Sequence, residues 1–353
     1  MVPFLPRPPW LTSRLQTLRA LRWPIAARLP PAHRLWLPLP DGDALAAALH
    51  FPETPRPLPL AVLVHGLTGS EDDPYLREAA RGLLRRGFRV LRLNLRGSGP
   101  SLPRSTSHYH LGRSEDLAAA LAALPEPLVR DGVALAGWSL GGALVLLLLA
   151  RAAETPGLPR LVAGAAVGPP LQPELAHAAI DADPLFGRAL LALYRREVLA
   201  VPARDLPPGL SAAAREATSL QEFEARVTAP RFGYPSYGVF CEVNRPAAAL
   251  PRIRVPTLLM LAADDPLVPV GSMDGIAWAD CPAVLPLPIA GGGHCGFYDL
   301  AREAMSVRAL GAFFSGAAAP SVGQGRAPSG AAGPASPEAP DATGRRAGRM
   351  AAA

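Results

Sequence analysis

Lysine is absent from the chain. All 35 basic residues are arginine, set against 29 acidic residues, for a net charge of +6. The arginines are scattered and interleaved with acids, without the basic and aromatic stripe that follows a phosphate backbone. A nucleic-acid partner is therefore not expected. Part of the excess lies far down the chain, at Arg326, Arg345, Arg346 and Arg349. Cysteine is scarce: Cys241, Cys281 and Cys295 are odd in number and without paired spacing, which points to a reducing compartment and no structural disulfide. Neither C-x-x-C nor H-E-x-x-H occurs, so no metal or cofactor is expected. A long apolar run is also missing. Residues 143–150 form the longest, far short of the ~20 needed to cross a bilayer. Residues 1–7 lack the charged head and apolar core of a secretory signal, and a cytoplasmic location is expected.

What is present is ample apolar material, 49% of the residues, with 42 prolines. The first 32 residues hold a basic segment in which Leu11, Leu15, Leu18 and Leu21 recur at helical spacing. This stripe is expected to pack on the protein's own core, with weak peripheral contact to an anionic membrane surface as the alternative. Two apolar runs then flank Asp41-Gly42-Asp43 and read as an antiparallel hairpin.

From residue 58 the pattern becomes an alternation of short buried strands and helices. Strands are predicted over 58–64, 89–95, 133–136 and 161–167, with helices over 74–86, 113–124 and 140–152. Alternation of this kind predicts a mostly parallel sheet covered by helices on both faces. Residues 169–252 show no buried strand; amphipathic pieces over 173–182, 184–199 and 212–226 predict a helical cap inserted above the strand ends. Strands return at 255–261 and 284–287, and a helix over 300–314 closes the core. The organisation expected is thus an N-terminal segment 1–32, a core in two parts at 33–168 and 253–315, the cap between them, and an Ala/Gly/Pro-rich tail at 316–353. The tail has too little apolar bulk to order itself.

Chemistry concentrates at three of the strand ends. Gly137-Trp138-Ser139-Leu140-Gly141 has the form G-x-S-x-G between a predicted strand and a predicted helix, the setting of a nucleophile elbow. Alone, this short motif also fits a Gly-rich loop with an idle serine. A serine hydroxyl needs a base, and the base needs a carboxylate to orient it. Asp265 follows the next-to-last strand, and His294 follows the last one inside Gly291-Gly292-Gly293. The order Ser, Asp, His is that of an α/β-hydrolase. Asp264 is the adjacent alternative for the acid, and Asp274 a more distant one. Cys295 is expected to be a buried small residue, because neighbours on an extended loop point apart. The N–H groups of Leu140 and Leu67 are the expected oxyanion donors. His65, His108 and His110 are expected to brace loops.

These segments resemble the YheT-like branch of the α/β-hydrolase superfamily, which also holds animal ABHD-type relatives. The resemblance rests on Leu15-Gln16-Thr17, Asp41-Gly42-Asp43, His65-Gly66-Leu67-Thr68-Gly69-Ser70, Asn94-Leu95-Arg96-Gly97, Tyr109-His110-Leu111-Gly112, the elbow, Asp264-Asp265-Pro266 and Gly292-Gly293-His294. It implies an α/β-hydrolase fold with a helical cap, a Ser139–His294–Asp265 triad, and a small-molecule or lipid-like ester as substrate. It further implies that the N-terminal segment is part of the fold. Arg14 and Leu111 depart from the residues usual in that branch, as does the acidic run Glu71-Asp72-Asp73 beside the oxyanion loop. The function expected is a serine hydrolase for carboxylic esters, with few charges near the site and hence a hydrophobic acyl group. An acyltransferase using the same acyl-enzyme and a non-catalytic lipid-binding protein at a membrane surface are the alternatives.

Overall fold

The computed structural model describes residues 1–23, 28–201 and 208–318. The predicted hairpin is present as β1 (His33–Pro38) and β2 (Ala44–His50), antiparallel and turning at Asp41-Gly42. Six further strands follow: β3 (Leu60–Val64), β4 (Val90–Leu93), β5 (Val133–Trp138), β6 (Leu161–Val167), β7 (Thr257–Ala262) and β8 (Val284–Ile289). They form one eight-stranded sheet in the order β1-β2-β4-β3-β5-β6-β7-β8, parallel from β4 to β8. The inner strands β3, β4, β5 and β7 are buried along their whole length. That is why β3 and β5 read as continuous apolar runs and not as alternating ones, while β4 buries Arg92 in its run.

Helices cover both faces. On one side α3 (Ser114–Ala122) and α5 (Leu140–Ala150), separated in the chain by the short α4 (Glu126–Val129), pack through Leu117, Leu121, Leu144 and Leu148. On the other, α2 (Pro74–Arg85) and α13 (Met305–Ala318) pack through Leu76, Leu83, Leu310 and Phe314. The last helix begins five residues later than expected and runs three residues into the stretch assigned to the tail; the rest of that tail lies outside the described residues.

Between β6 and β7 the described residues are helical: α6 (Pro173–Ala182), α7 (Phe186–Ala200), α8 (Pro208–Glu216), α9 (Leu220–Phe223), α10 (Ala229–Arg231), α11 (Tyr237–Val243) and α12 (Pro246–Ala249). The single amphipathic piece expected over 212–226 is divided. Ser219 caps α9 by accepting from the Glu222 N–H, and a π turn over Glu224–Thr228 follows.

Several resemblance segments meet in one buried ion cluster. Arg96 is 1% exposed and donates to both carboxylate oxygens of Asp116, to Asp41 and to Asp43. This joins the hairpin, the loop after β4 and α3 around one guanidinium.

The N-terminal helix α1 (Ser13–Arg22) packs on the core, but of the leucine stripe only Leu21 joins that packing. Leu11, Leu15 and Leu18 are 56%, 38% and 40% exposed, and the buried face is Gln16, Thr17 and Ala20. Polar residues face inward here because their hydrogen bonds are met. Gln16 Nε2 donates to the carbonyls of Trp10 and Tyr298, and its Oε1 accepts from the Tyr298 N–H. The segment before it pairs with the far end of the chain through bridges Val2–Ile289 and Pro6–Asp299.

Candidate active site

The β5–α5 turn is as tight as the motif requires. Ser139 sits at φ 52° and ψ −124°, a backbone conformation that side chains other than glycine seldom adopt. A Cβ on Gly137 would lie 2.2 Å from the Gly141 carbonyl oxygen, and one on Gly141 would lie 2.3 Å from that of His65. Both positions therefore exclude any side chain. The turn is pinned to the neighbouring strand by the Ser139 N–H, which donates to the Val167 carbonyl at 2.9 Å.

The loop after β3 approaches from the side. A Cβ on Gly66 would lie 2.9 Å from Ser139 Cβ, so this backbone touches the nucleophile candidate. Two tyrosines hold it. The Tyr75 hydroxyl accepts from the Gly66 N–H at 2.9 Å and donates to Asp73 at 2.7 Å. The Tyr109 hydroxyl accepts from the Thr68 N–H at 2.7 Å and donates to Glu197 of α7 at 2.7 Å. The N–H groups flanking Leu67 are thus both engaged, whereas that of Leu67 has no partner among the described residues. Leu140 is the first residue of α5, so its N–H likewise has no acceptor within the helix. All three acids in the unusual run 71–73 have structural partners, Glu71 with Arg34 and Asn94, Asp72 with Arg77 and Arg92, and Asp73 with Tyr75. Burial pushes the Asp73 carboxyl up to about 6 and that of Glu197 to about 7. His65 is tied at both ring nitrogens, to the Gly66 carbonyl and the Leu95 N–H, and burial lowers it to about 4.

Asp265 lies just beyond β7. Its Oδ1 accepts from the Leu267 and Val268 N–H groups at 2.9 Å, and its Oδ2 lies 2.8 Å from His294 Nδ1. Asp264 points elsewhere, accepting from the Gly293 N–H at 2.8 Å. Burial acts against the charged imidazole, but the Asp265 carboxylate outweighs it, and the His294 ring is raised well above its ordinary value. The His294 backbone is held from an unexpected direction. Its N–H donates to Thr17 Oγ1 of α1 at 2.8 Å, and Thr17 in turn donates to the Ser13 carbonyl.

Ser139, Leu140, Leu67 and His294 all line one cleft, enclosing about 730 Å³ with its open mouth. Its walls are mainly aliphatic, including Leu111, Ile180, Leu190, Leu220 and Val268. Cys295 is buried as expected, yet it also lines the cleft, which corrects the reading of an extended loop. Its φ is 62°, and the chain curls so that both His294 and Cys295 face the cleft. Two polar cap residues in the same wall, His177 and Glu224, were not singled out in the sequence. Each stands among alanines and leucines or ordinary surface charges, with no motif around it. His108 and His110 lie in the loop before α3. Arg231 donates to His108 Nδ1, and His110 Nδ1 accepts from the Gly112 N–H. Among the described residues no group of three His, Cys, Asp or Glu side chains is placed to hold a metal ion, and no helix is long and apolar enough to cross a membrane.

The alpha/beta hydrolase fold family matches residues 59–300. Over 242 residues the chain is 31% identical to YheT of Escherichia coli (strain K12), provisionally named an esterase, covering 66% of this chain and 69% of that one. It is 26% identical over 288 residues to medium-chain fatty acid ethyl ester synthase/esterase 2 of Saccharomyces cerevisiae, covering 73% of this chain but only 62% of the yeast protein. Among solved structures, an esterase of Pyrococcus furiosus superposes with a TM-score of 0.54 at 17% identity, covering 82% of this chain and 91% of that one. At that identity the likeness speaks for the fold alone.

Proposed function

The chain belongs to the α/β hydrolase fold family, in its YheT-like branch, and from that premise we propose that it hydrolyses carboxylic esters with Ser139 as nucleophile. The observation that carries the proposal is the convergence of three strand ends on one cleft. The strained Ser139 turn, the His294 ring backed by Asp265, and the free Leu67 N–H all open onto it.

Ser139 Oγ attacks the ester carbonyl carbon while His294 Nε2 takes the hydroxyl proton. Asp265, anchored by two backbone N–H groups, keeps Nδ1 protonated and stabilises the imidazolium that forms. The developing oxyanion lies between the Leu67 and Leu140 N–H groups. The C–O bond to the alcohol breaks as His294 returns the proton to the leaving oxygen. Water, deprotonated by His294, then attacks the acyl-enzyme and releases the acid and Ser139. The aliphatic wall suits an apolar acyl group, and a lipid-like ester fits it.

The test is direct. Purified protein should turn over 4-nitrophenyl acyl esters and take a fluorophosphonate label that Ser139→Ala abolishes. Folded protein that takes no label and cleaves no ester at any chain length defeats the proposal. A second reading, transfer of the acyl group to an alcohol instead of water, is favoured by the yeast relative's name, which joins synthesis to hydrolysis. Product analysis with added alcohol separates the two.

A further inference from the structure

Away from Ser139, His294, Cys295 and Tyr75, the cleft wall is aliphatic except where the cap contributes His177, from α6, and Glu224, from the π turn. Neither has a part in the ester chemistry above. Glu224 is 4% exposed, and its Oε2 is sealed from solvent with no hydrogen-bond partner among the described residues. The Thr228 hydroxyl, one turn on, stands close enough to oppose the rise of this carboxyl, but it makes no hydrogen bond of ordinary geometry with Oε2. A buried acceptor left unpaired is costly, and native proteins leave few of them. The backbone that carries it is itself unusual, since π turns inside helices recur at functional sites.

His177 supplies the complementary half. Its Nδ1 lies 2.8 Å from the Tyr237 hydroxyl, and Nε2 has no partner among the described residues. Burial lowers the ring to about 4, so it is neutral at physiological pH. In the tautomer in which the Tyr237 hydroxyl donates to Nδ1, Nε2 carries the proton and is a donor; in the other tautomer it is an acceptor. Both side chains line the same cleft, His177 from α6 and Glu224 from the π turn.

We propose that Glu224 and His177 form a hydroxyl-binding subsite within the ester cleft, so that the preferred ester carries a free alcohol group besides the bond that is cut. This rests on the ester-hydrolase reading. A hydroxyl accepts from His177 Nε2–H and donates to Glu224 Oε2, using both groups at once. An unsubstituted alkyl chain leaves both unpaired, and a carboxylate or phosphate meets like charge. The hydroxyl belongs either to the acyl chain or to the alcohol, and both sources have the same chemistry.

The experiment has two arms. In one, 4-nitrophenyl esters of acids bearing a hydroxyl at successive carbons are compared with unsubstituted esters of equal length. In the other, the glycerol monoester of an acid is compared with its propyl ester. The proposal expects kcat/KM to favour the hydroxylated ester by about ten-fold or more in one arm, as sites built around a substrate hydroxyl do. Glu224→Leu and His177→Phe should each bring that ratio toward one, whereas Glu224→Gln, which keeps a hydrogen-bonding group, should retain part of it. Fluorophosphonate labelling of Ser139 in each variant shows that the fold is intact. A ratio near one in both arms for the wild type, a ratio unmoved by Glu224→Leu, or a stronger preference for amino-bearing esters overturns the subsite while the ester reading stands. Absence of turnover on every ester removes both.

Discussion

Replacing Glu224 by glutamine should alter how the stability of the protein depends on pH. Burial pushes this carboxyl from 4.5 up to about 7. At about 1.4 kcal/mol for each pH unit, that displacement amounts to about 3 kcal/mol. The folded chain binds the Glu224 proton more tightly than the unfolded chain does. The contribution to stability is therefore complete below about pH 4.5, declines as the pH rises, and is gone once the pH has passed through about 7. Glutamine does not titrate. Urea unfolding of both proteins from pH 4 to 8.5 should show the difference in unfolding free energy moving by about 3 kcal/mol in favour of Glu224→Gln as the pH rises. The constant cost of a buried amide cancels in that movement, as do Glu197 and Asp73, which titrate alike in both proteins. A difference that stays flat across this window refutes the reasoning, because a carboxyl with an ordinary value is neither dry nor unpaired.

Asp265→Asn should lower kcat/KM by roughly 10³–10⁴-fold while the protein still folds. An amide facing His294 donates where the carboxylate accepts, and the proton moves from Nδ1 to Nε2. The pH profile supplies a second readout: with His294 raised above its ordinary value, the acid limb of wild-type kcat/KM should lie above about pH 6.5, and it should move down in the variant. Tyr109→Phe leaves the Thr68 N–H and the Glu197 carboxyl without their shared partner. It should lower kcat by roughly ten-fold or more with a smaller change in KM, since the flanking loop presents the Leu67 N–H. An equal rise in KM with kcat unchanged speaks against that loop as an oxyanion donor.

Much of the fold was legible because parallel strands buried on both faces leave uninterrupted apolar runs, as in β3 and β5. The elbow was legible for a different reason. Gly137 and Gly141 stand where no side chain fits, so the backbone crowding is written as two glycines. Other features left weaker traces. Periodicity revealed an apolar stripe on α1 but not its direction, and the helix buries Gln16 and Thr17 because polar side chains can lie inside once their hydrogen bonds are met. The division between α8 and α9 was hidden in one amphipathic stretch, since both helices present apolar residues to the same core. Glu224 shows the limit most clearly. Surface glutamates and a buried one look alike in a sequence, and only the π turn after Phe223 places this one in the cleft.

The hold of Thr17 on the His294 backbone spans 277 residues, and Val2 and Ile289 close the same circuit. Protein synthesis proceeds from the N-terminus, so α1 emerges first and its counterpart emerges among the last of the described residues. Such distant pairings are slow to form, because a long loop must close before any contact rewards it. The histidine loop is therefore expected to acquire its final shape late in folding. A nascent or C-terminally shortened chain can hold a well-formed elbow and still lack the His294 loop in its final shape. Onset of ester turnover consequently marks the meeting of the two ends of the fold, not the collapse of its centre.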